Sequence, residues 1–129
     1  MLVIPRSREQ GITRERVVTL KTLVIDPHSL FLAALGNLLS GHPLYAEVES
    51  TTNSSAGLHL IESGDYDLAF CDVTASPLSG PQVAAELRAR GSSTRLILLA
   101  DPDDFRLLLA NLHCGASGFF TKNTSYEEL

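Results

Sequence analysis

Four charged side chains stand directly after short apolar runs at widely separated points of this 129-residue chain. They are Asp26, Asp72, Asp101 and Lys122. Carboxylates can hold a divalent metal ion, and a carboxylate can also act as a nucleophile toward a phosphoryl group. An ammonium group can pair with phosphate oxygens. These residue types therefore indicate phosphoryl chemistry, provided that the fold brings them together.

The segments between these residues alternate in a way that is typical of a parallel sheet covered by helices. From Thr22 onward, short apolar runs alternate with longer stretches of helical periodicity. Five strands are predicted, at 22–25, 44–49, 68–71, 96–99 and 117–121. Runs that are apolar at every position suit strands buried on both faces. We predict an α/β fold, a three-layer doubly wound five-stranded parallel sheet.

Helical signals fill the intervals between the predicted strands. In the first helix the apolar residues at helical spacing are Leu30, Phe31, Ala34, Leu35, Leu38 and Leu39. Pro81 suits the first position of the third helix, and the fourth is predicted over 103–114. Ser125 and Glu128 have the spacing of a capping box, which predicts a fifth helix that is truncated at the end of the chain.

A doubly wound sheet places its reaction site at the carboxyl ends of the strands. Because the four charged residues all follow strand ends, we expect them at one rim. Taken singly, an Asp after a strand often caps a helix or forms a turn. Asp101 is expected to cap the fourth helix, and the alternative that it enters the pocket stays open. His28 is expected to have a rim or capping role.

Charge and hydropathy exclude several classes of function. Residues 1–21 carry five of the ten Lys and Arg and are predicted to be a mobile leader, whereas 22–129 form one domain with 5 basic and 13 acidic residues. Such an acidic body should not bind nucleic acid directly. No apolar run approaches the ~20 residues that span a bilayer, so we expect a cytoplasmic protein. Cys71 and Cys114 are expected to be packing residues.

Four segments resemble successive landmarks of the receiver domains of bacterial response regulators, especially those of NarL and FixJ type with helix-turn-helix output domains. The segments are VIDPHSLF, LAFCDVTASPLSG, TRLILLADPDD and CGASGFFTKNTSYEEL. The resemblance covers 22–129 and implies the flavodoxin-like, CheY-like receiver fold. It also implies a histidine kinase as partner, a homodimer, and a fifth helix and LuxR-type output domain beyond the chain.

The same resemblance assigns roles to individual residues. Asp72 matches the phosphoacceptor, and Asp26 matches one acid of the Mg²⁺ pocket. The backbone carbonyl of Thr74 would be a further metal ligand. Lys122 matches the lysine that contacts the acyl phosphate and transmits its presence.

Three positions depart from the family pattern. Pro27 stands where the pocket has its second acid, so Mg²⁺ binding should be weak. Ala100 replaces the switch hydroxyl that contacts the phosphoryl group. Phe119 stands at the aromatic switch position that is often tyrosine, and it cannot donate a hydrogen bond.

Three functions remain open at this point. The first is the receiver domain of a two-component response regulator that signals to an attached transcriptional output domain, either through phosphorylation of Asp72 or with that phosphorylation impaired or absent. The second is a phosphate-independent pseudo-receiver that acts as a dimerisation or interaction module. The third, an aspartate-nucleophile phosphatase, is disfavoured because that class needs an acid where Thr74 stands. We therefore expect no enzymatic activity.

Overall fold

The computed structural model describes residues 2–5 and 15–123, with side chains from Thr19 onward. Its strands are β1 (Leu2–Pro5), β2 (Glu15–Val18), β3 (Leu20–Ile25), β4 (Tyr45–Thr51), β5 (Leu68–Asp72), β6 (Arg95–Ala100) and β7 (Gly118–Thr121). Its helices are α1 (Ser29–Ser40), α2 (Ser54–Ser63), α3 (Gly80–Ala89) and α4 (Phe105–Ala110), and a 3-10 turn spans Pro102–Asp104.

Strands β3 to β7 form one parallel sheet in the order β4-β3-β5-β6-β7. The chain proceeds from β3 outward to β4, then crosses to β5 and continues outward on the other side. The order therefore reverses between β3 and β5, where a doubly wound sheet has its crevice. The predicted five-stranded parallel fold is confirmed, and β3 begins at Leu20, two residues before its predicted start. Strands β1 and β2 pair antiparallel in a separate two-stranded sheet.

The core has two layers because successive residues of a strand point to opposite faces. Leu23 and Ile25 of β3 face the layer beneath α2 and α3, whereas Val24 faces the layer beneath α1. All five residues of β5 are buried, which agrees with its uninterrupted apolar sequence up to Asp72. This central strand therefore places a carboxylate, that of Asp72, at its buried carboxyl end.

The start of α3 is built to approach the end of β5 closely. Ser79 caps the helix, with reciprocal hydrogen bonds between Ser79 and Gln82 in a capping box. A Cβ atom on Gly80 would lie 2.7 Å from the carbonyl oxygen of Asp72 and 2.8 Å from Leu98 Cδ2. Glycine is required here because any side chain would push the helix away from the strand end.

Two helices differ from their predictions. In α1 the buried residues are Leu32, Leu35 and Leu39, whereas Leu30 is 86% exposed and Leu38 is 51% exposed. The apolar periodicity extends over more of the α1 circumference than the sheet covers, so sequence spacing misplaced the buried face. The fourth helix is shorter than 103–114, because turns replace helix from Asn111 onward. The predicted capping box at Ser125 and Glu128 lies outside the described residues.

Candidate functional site

Two carboxylates lie side by side at the switch point of the sheet. Asp26 follows β3 and Asp72 ends β5, and these strands are neighbours with Ile25 paired to Cys71. Both Asp side chains are fully buried. A buried carboxylate is costly unless it is paired and hydrogen-bonded, so the partners of these two groups define the site.

Lys122 supplies the positive charge between the two carboxylates. Its backbone follows β7 and its N–H donates to the carbonyl oxygen of Ala100 at 2.8 Å, which fixes its position beside β6. The Lys122 Nζ atom lies 2.8 Å from Oδ2 of Asp26 and 2.8 Å from Oδ2 of Asp72, and the side chain is only 6% exposed. The Lys122 ammonium also lies 4.3 Å from the centre of the Phe31 ring.

The pKa of Lys122 shows which effect dominates in this cluster. Burial of the ammonium lowers its pKa, but the hydrogen bonds and the negative charges of Asp26 and Asp72 outweigh burial and raise the pKa above its ordinary value. The lysine is therefore held in its charged form. One ammonium faces two carboxylates, so the three groups together retain one net negative charge.

The remaining carboxylate oxygens are held by neighbouring backbone. Asp72 Oδ1 accepts hydrogen bonds from the Thr74 N–H at 2.7 Å and from the Thr74 hydroxyl at 2.5 Å. Asp26 Oδ1 accepts from the His28 N–H at 2.8 Å. Both Asp side chains are thus oriented by the residue two positions later, and both present Oδ2 to Lys122.

His28 belongs to this site through its ring. Its Nδ1 atom lies 3.0 Å from Asp26 Oδ1 and 2.9 Å from Lys122 Nζ, and the side chain is 49% exposed. His28 is also the residue that precedes α1, but its side chain makes no capping hydrogen bond. The expected rim position is confirmed. Its contact with the carboxylate was not foreseen, although its spacing of two residues from a strand-end Asp was the available signal.

Among the residues that the structure describes, Asp26, His28 and Asp72 form one group with a ligand atom from each within 4.8 Å of the others. Asp101 does not belong to this group. Its carbonyl oxygen instead accepts a hydrogen bond from the Asp104 N–H at 2.8 Å, within the turn that precedes α4. Asp101 directly precedes this turn, but its side chain makes no capping hydrogen bond, and the residue that precedes α4 is Asp104. The expected capping of the fourth helix by the Asp101 side chain is therefore not seen.

The two positions that were expected to act as switches have no polar side-chain atom. Ala100 is fully buried at the end of β6. Phe119 in β7 is partly buried and packs against the core layer beneath α2 and α3. Neither residue can hydrogen-bond through its side chain to a group on Asp72.

Both cysteines have the packing positions that were expected of them. Cys71 is fully buried, and Cys114 packs partly buried against the same core layer. Burial, together with the charges of Asp72 and Asp26, raises the pKa of the Cys71 thiol far above its ordinary value. The thiolate form is therefore suppressed, and Cys71 is unsuited to act as a nucleophile.

The family match and the similar solved structures identify the class of domain to which this fold belongs. Residues 22–129 match the response regulator receiver domain, so the chain belongs to the receiver domain family. It is 29% identical over 109 residues to the transcriptional regulatory protein NarL of Mycobacterium tuberculosis, covering 84% of this chain and 50% of NarL. It is 31% identical over 106 residues to the DNA-binding transcriptional activator EvgA of Escherichia coli, covering 80% of this chain and 50% of EvgA.

Solved structures agree with this assignment. The signal receiver domain of NarL from Mycobacterium tuberculosis superposes with a TM-score of 0.78 at 28% identity, covering 87% of this chain and 90% of that domain. The chain is thus a receiver domain of the NarL and LuxR type of response regulator. It spans about half the length of the curated relatives that it matches. In the described part of the chain, every helix is too short or too polar to cross a membrane.

Receiver domains bind Mg²⁺ at an acidic pocket, and the residues here fit that ion incompletely. Mg²⁺ demands near-ideal octahedral coordination by oxygen atoms. Asp26 and Asp72 provide suitable oxygens, but Pro27 has no carboxylate, and the additional side-chain ligand near the two acids is the imidazole nitrogen of His28. Imidazole suits ions such as zinc, nickel and iron better than magnesium.

Proposed function

We propose that this chain is the receiver part of a two-component response regulator, in which Asp72 accepts a phosphoryl group and thereby controls an attached transcriptional output domain. The observation that carries the proposal is the buried cluster of Asp72, Asp26 and Lys122, with Lys122 Nζ 2.8 Å from an oxygen of each carboxylate. A histidine kinase is the proposed phosphoryl donor, and a helix-turn-helix domain is the proposed output.

The energetics of the cluster support a functional role. Replacing a buried ion pair or triad by apolar residues of similar volume is often neutral or stabilising, so the fold does not need this cluster for its stability. Buried titratable groups that converge at a cleft are candidates for chemistry. Their place at the switch point of a doubly wound sheet is also where such folds bind ligands.

The hydrogen bonds indicate which oxygen of Asp72 reacts. Thr74 holds Oδ1 through two hydrogen bonds, whereas Oδ2 faces Lys122. We therefore assign Oδ2 as the nucleophile. Its lone pair forms the bond to phosphorus, the bond from phosphorus to the imidazole nitrogen of the donor breaks, and that electron pair stays on the imidazole. Lys122 then pairs with the phosphoryl oxygens.

The burial of Asp72 implies a movement during this reaction. Because Asp72 is fully buried beneath Lys122, a phosphoryl donor reaches Oδ2 only when the lysine side chain moves aside. Lys122 would leave Asp26 Oδ2 when it follows the phosphoryl group. In the absence of a hydroxyl on Ala100, this displacement of Lys122 is the proposed readout.

Phosphorylation of the purified chain by acetyl phosphate, read by intact mass with and without Mg²⁺, tests the proposal. We expect a gain of one phosphoryl group that Asp72→Asn abolishes. Asp103→Asn is a matched control, because Asp103 is exposed and lies outside the pocket cluster. A folded wild-type chain with no mass gain under either condition would refute phosphorylation at Asp72.

A phosphate-independent interaction module is the second candidate function. It is favoured by the Lys122 ammonium, which already neutralises part of the pocket, and by the absence of a polar side chain at Ala100. In that case the chain would form the same homodimer whether or not Asp72 can be modified. Sedimentation of wild type and Asp72→Asn, each with and without acetyl phosphate, distinguishes the two functions.

A further inference from the structure

We propose that the pocket binds a divalent transition-metal ion in preference to Mg²⁺, with His28 Nδ1, Asp26 and Asp72 as its protein ligands. The inference deepens the proposed function, on which it rests in treating this pocket as the functional site. Its distinctive element is His28, which would provide the ligand that Pro27 cannot.

The spacing of the potential ligand atoms fits coordination of one ion. His28 Nδ1 and Asp26 Oδ1 are 3.0 Å apart. Two adjacent ligands of an octahedral ion with bonds of about 2.1 Å are separated by about 3.0 Å. Asp72 contributes a ligand atom within 4.8 Å of those of Asp26 and His28. The three side chains can therefore share an ion with small adjustments.

Lys122 marks the point at which these ligands converge. Its ammonium lies 2.8 Å from Oδ2 of each carboxylate and 2.9 Å from His28 Nδ1. The cluster therefore already holds a cation there, and one net negative charge remains after it. A divalent ion that displaced the ammonium would complete the neutralisation of the two carboxylates.

The contacts of His28 Nδ1 are mismatched while the lysine is in place. If Nδ1 carries a hydrogen, it can donate to Asp26 Oδ1 but then meets the Lys122 ammonium, which only donates. If Nδ1 has a free lone pair, it can accept from Lys122 but then meets a carboxylate oxygen, which only accepts. An ion in place of the ammonium would accept the Nδ1 lone pair directly, and its two positive charges would offset the repulsion between that lone pair and Asp26 Oδ1.

Ligand chemistry determines the class of ion. Carboxylate and water ligands suit magnesium, whereas imidazole suits zinc, iron, nickel and copper. The half-exposed His28 ring stands at the rim, so an ion can approach from solvent on that side. The expected occupant is a divalent transition-metal ion with two carboxylate ligands, one imidazole ligand and water.

Calorimetric titration of the chain with Co²⁺, and separately with Mg²⁺, tests the role of His28. Loss of a ligand in His28→Asn should weaken Co²⁺ binding at least about tenfold, while Mg²⁺ binding stays within about threefold of wild type. The visible absorption bands of bound Co²⁺ should shift in the same variant because a nitrogen ligand is lost. His59→Asn is the matched control, since His59 is exposed on α2, and it should change neither affinity.

Several outcomes would overturn the inference. They are an unchanged Co²⁺ affinity in His28→Asn, an equal loss of Co²⁺ and Mg²⁺ affinity, or a Co²⁺ spectrum that does not change. Circular dichroism checks that the variant is folded, and His28→Gln repeats the test if His28→Asn is not.

The binding assay needs no phosphoryl donor, so its result can be separated from that of the phosphorylation test. His28-dependent Co²⁺ binding without phosphorylation would refute the proposed function alone. Phosphorylation with Mg²⁺ and no dependence of Co²⁺ affinity on His28 would refute this inference alone.

Discussion

The two sides of the strand-end rim differ sharply in their polar content. On the side of β3 and β5, Asp26 and Asp72 are fully buried and every carboxylate oxygen has a close partner. On the side of β6 and β7, Ala100 ends β6 and Phe119 lies two residues before the end of β7, so neither expected switch position has a polar side chain. We call the first side, completed by Lys122, the acceptor side, and the side of β6, β7 and α4 the readout side. Under the proposed function, a sequence can retain the acceptor side while it changes the readout side.

The helices beside these two sides differ in length, burial and capping. Helix α3 has ten residues, of which four are buried, and a full capping box holds its start against β5. Helix α4 has six residues, of which Leu108 alone is buried. Four large apolar side chains on or just after α4 are 45–50% exposed, namely Phe105, Leu107, Leu109 and Leu112. Few buried contacts imply low local stability, so α4 should open more readily than α3.

The largest change in the free energy of unfolding is expected when the positive charge of Lys122 is removed from the acceptor side. Lys122→Met leaves Asp26 and Asp72 buried without their ammonium partner, which should lower the free energy of unfolding by about 4 kcal/mol. Urea unfolding at pH 7 measures this change. Lys21→Met is the control, because Lys21 is only partly buried and lies 4.7 Å from the Tyr66 ring centre, an interaction expected to contribute about 0.5 kcal/mol. Similar losses of unfolding free energy in Lys122→Met and Lys21→Met would contradict this stabilising role of the Lys122 charge.

The second prediction concerns a variant that destabilises the readout side alone. Leu108→Ala removes the one buried side chain of α4 and should lower the free energy of unfolding by about 3 kcal/mol. Leu109→Ala, half exposed on the same helix, should change it by less than about 0.5 kcal/mol. Hydrogen exchange of the α4 amides should accelerate in Leu108→Ala. Because the pocket is untouched, phosphorylation of Asp72 should persist in this variant, and its loss would mean that the two sides are coupled.

The third prediction adds a polar group to the readout side. Ala100→Ser places a hydroxyl at a fully buried position and should lower the free energy of unfolding by about 1 kcal/mol when Asp72 is unmodified. Phosphorylation would provide an acceptor for that hydroxyl, so the loss should shrink in acetyl phosphate. Ala69→Ser, equally buried in the middle of β5, should be destabilised to the same extent with and without the donor. An equal response of Ala100→Ser and Ala69→Ser to acetyl phosphate would exclude a contact between the hydroxyl at position 100 and the phosphoryl group.

The last prediction concerns Tyr66 at the opposite end of the sheet, which provides a reference outside the strand-end rim. Burial, and then the hydrogen bond and charge of Glu49, raise the pKa of Tyr66 from 10.0 to about 12. The Tyr66 hydroxyl donates to Glu49 Oε2 at 2.7 Å, so the fold favours the neutral phenol. Its stabilising contribution is complete below pH 10 and is lost as the pH rises from 10 to 12.

Thermal unfolding at pH 9 and pH 11.5 measures this contribution of Tyr66. The melting temperature of wild type should fall a few degrees more than that of Tyr66→Phe, which has no phenol to ionise. Equal falls would show that the fold does not favour the neutral phenol of Tyr66.

Much of the sheet was predictable because its signals are local. Apolar runs predicted most strands of the parallel sheet, and the general position of reaction sites in doubly wound sheets predicted that Asp26, Asp72 and Lys122 would meet. Helix faces were less predictable. Leu30 and Leu38 have the same apolar character as Leu32 and Leu35, and only the position of the sheet decides which of them is buried.

The sequence by itself determined the order of the apolar runs along the chain, the charged residues that follow four of them, and the absence of polar side chains at Ala100 and Phe119. Tertiary structure alone decided that Lys122 bridges both carboxylates, that His28 joins them and that Asp101 stays in its turn. The physical reason is distance along the chain. His28 and Lys122 are 94 positions apart, and their contact depends on how two strand ends converge, which no local periodicity encodes.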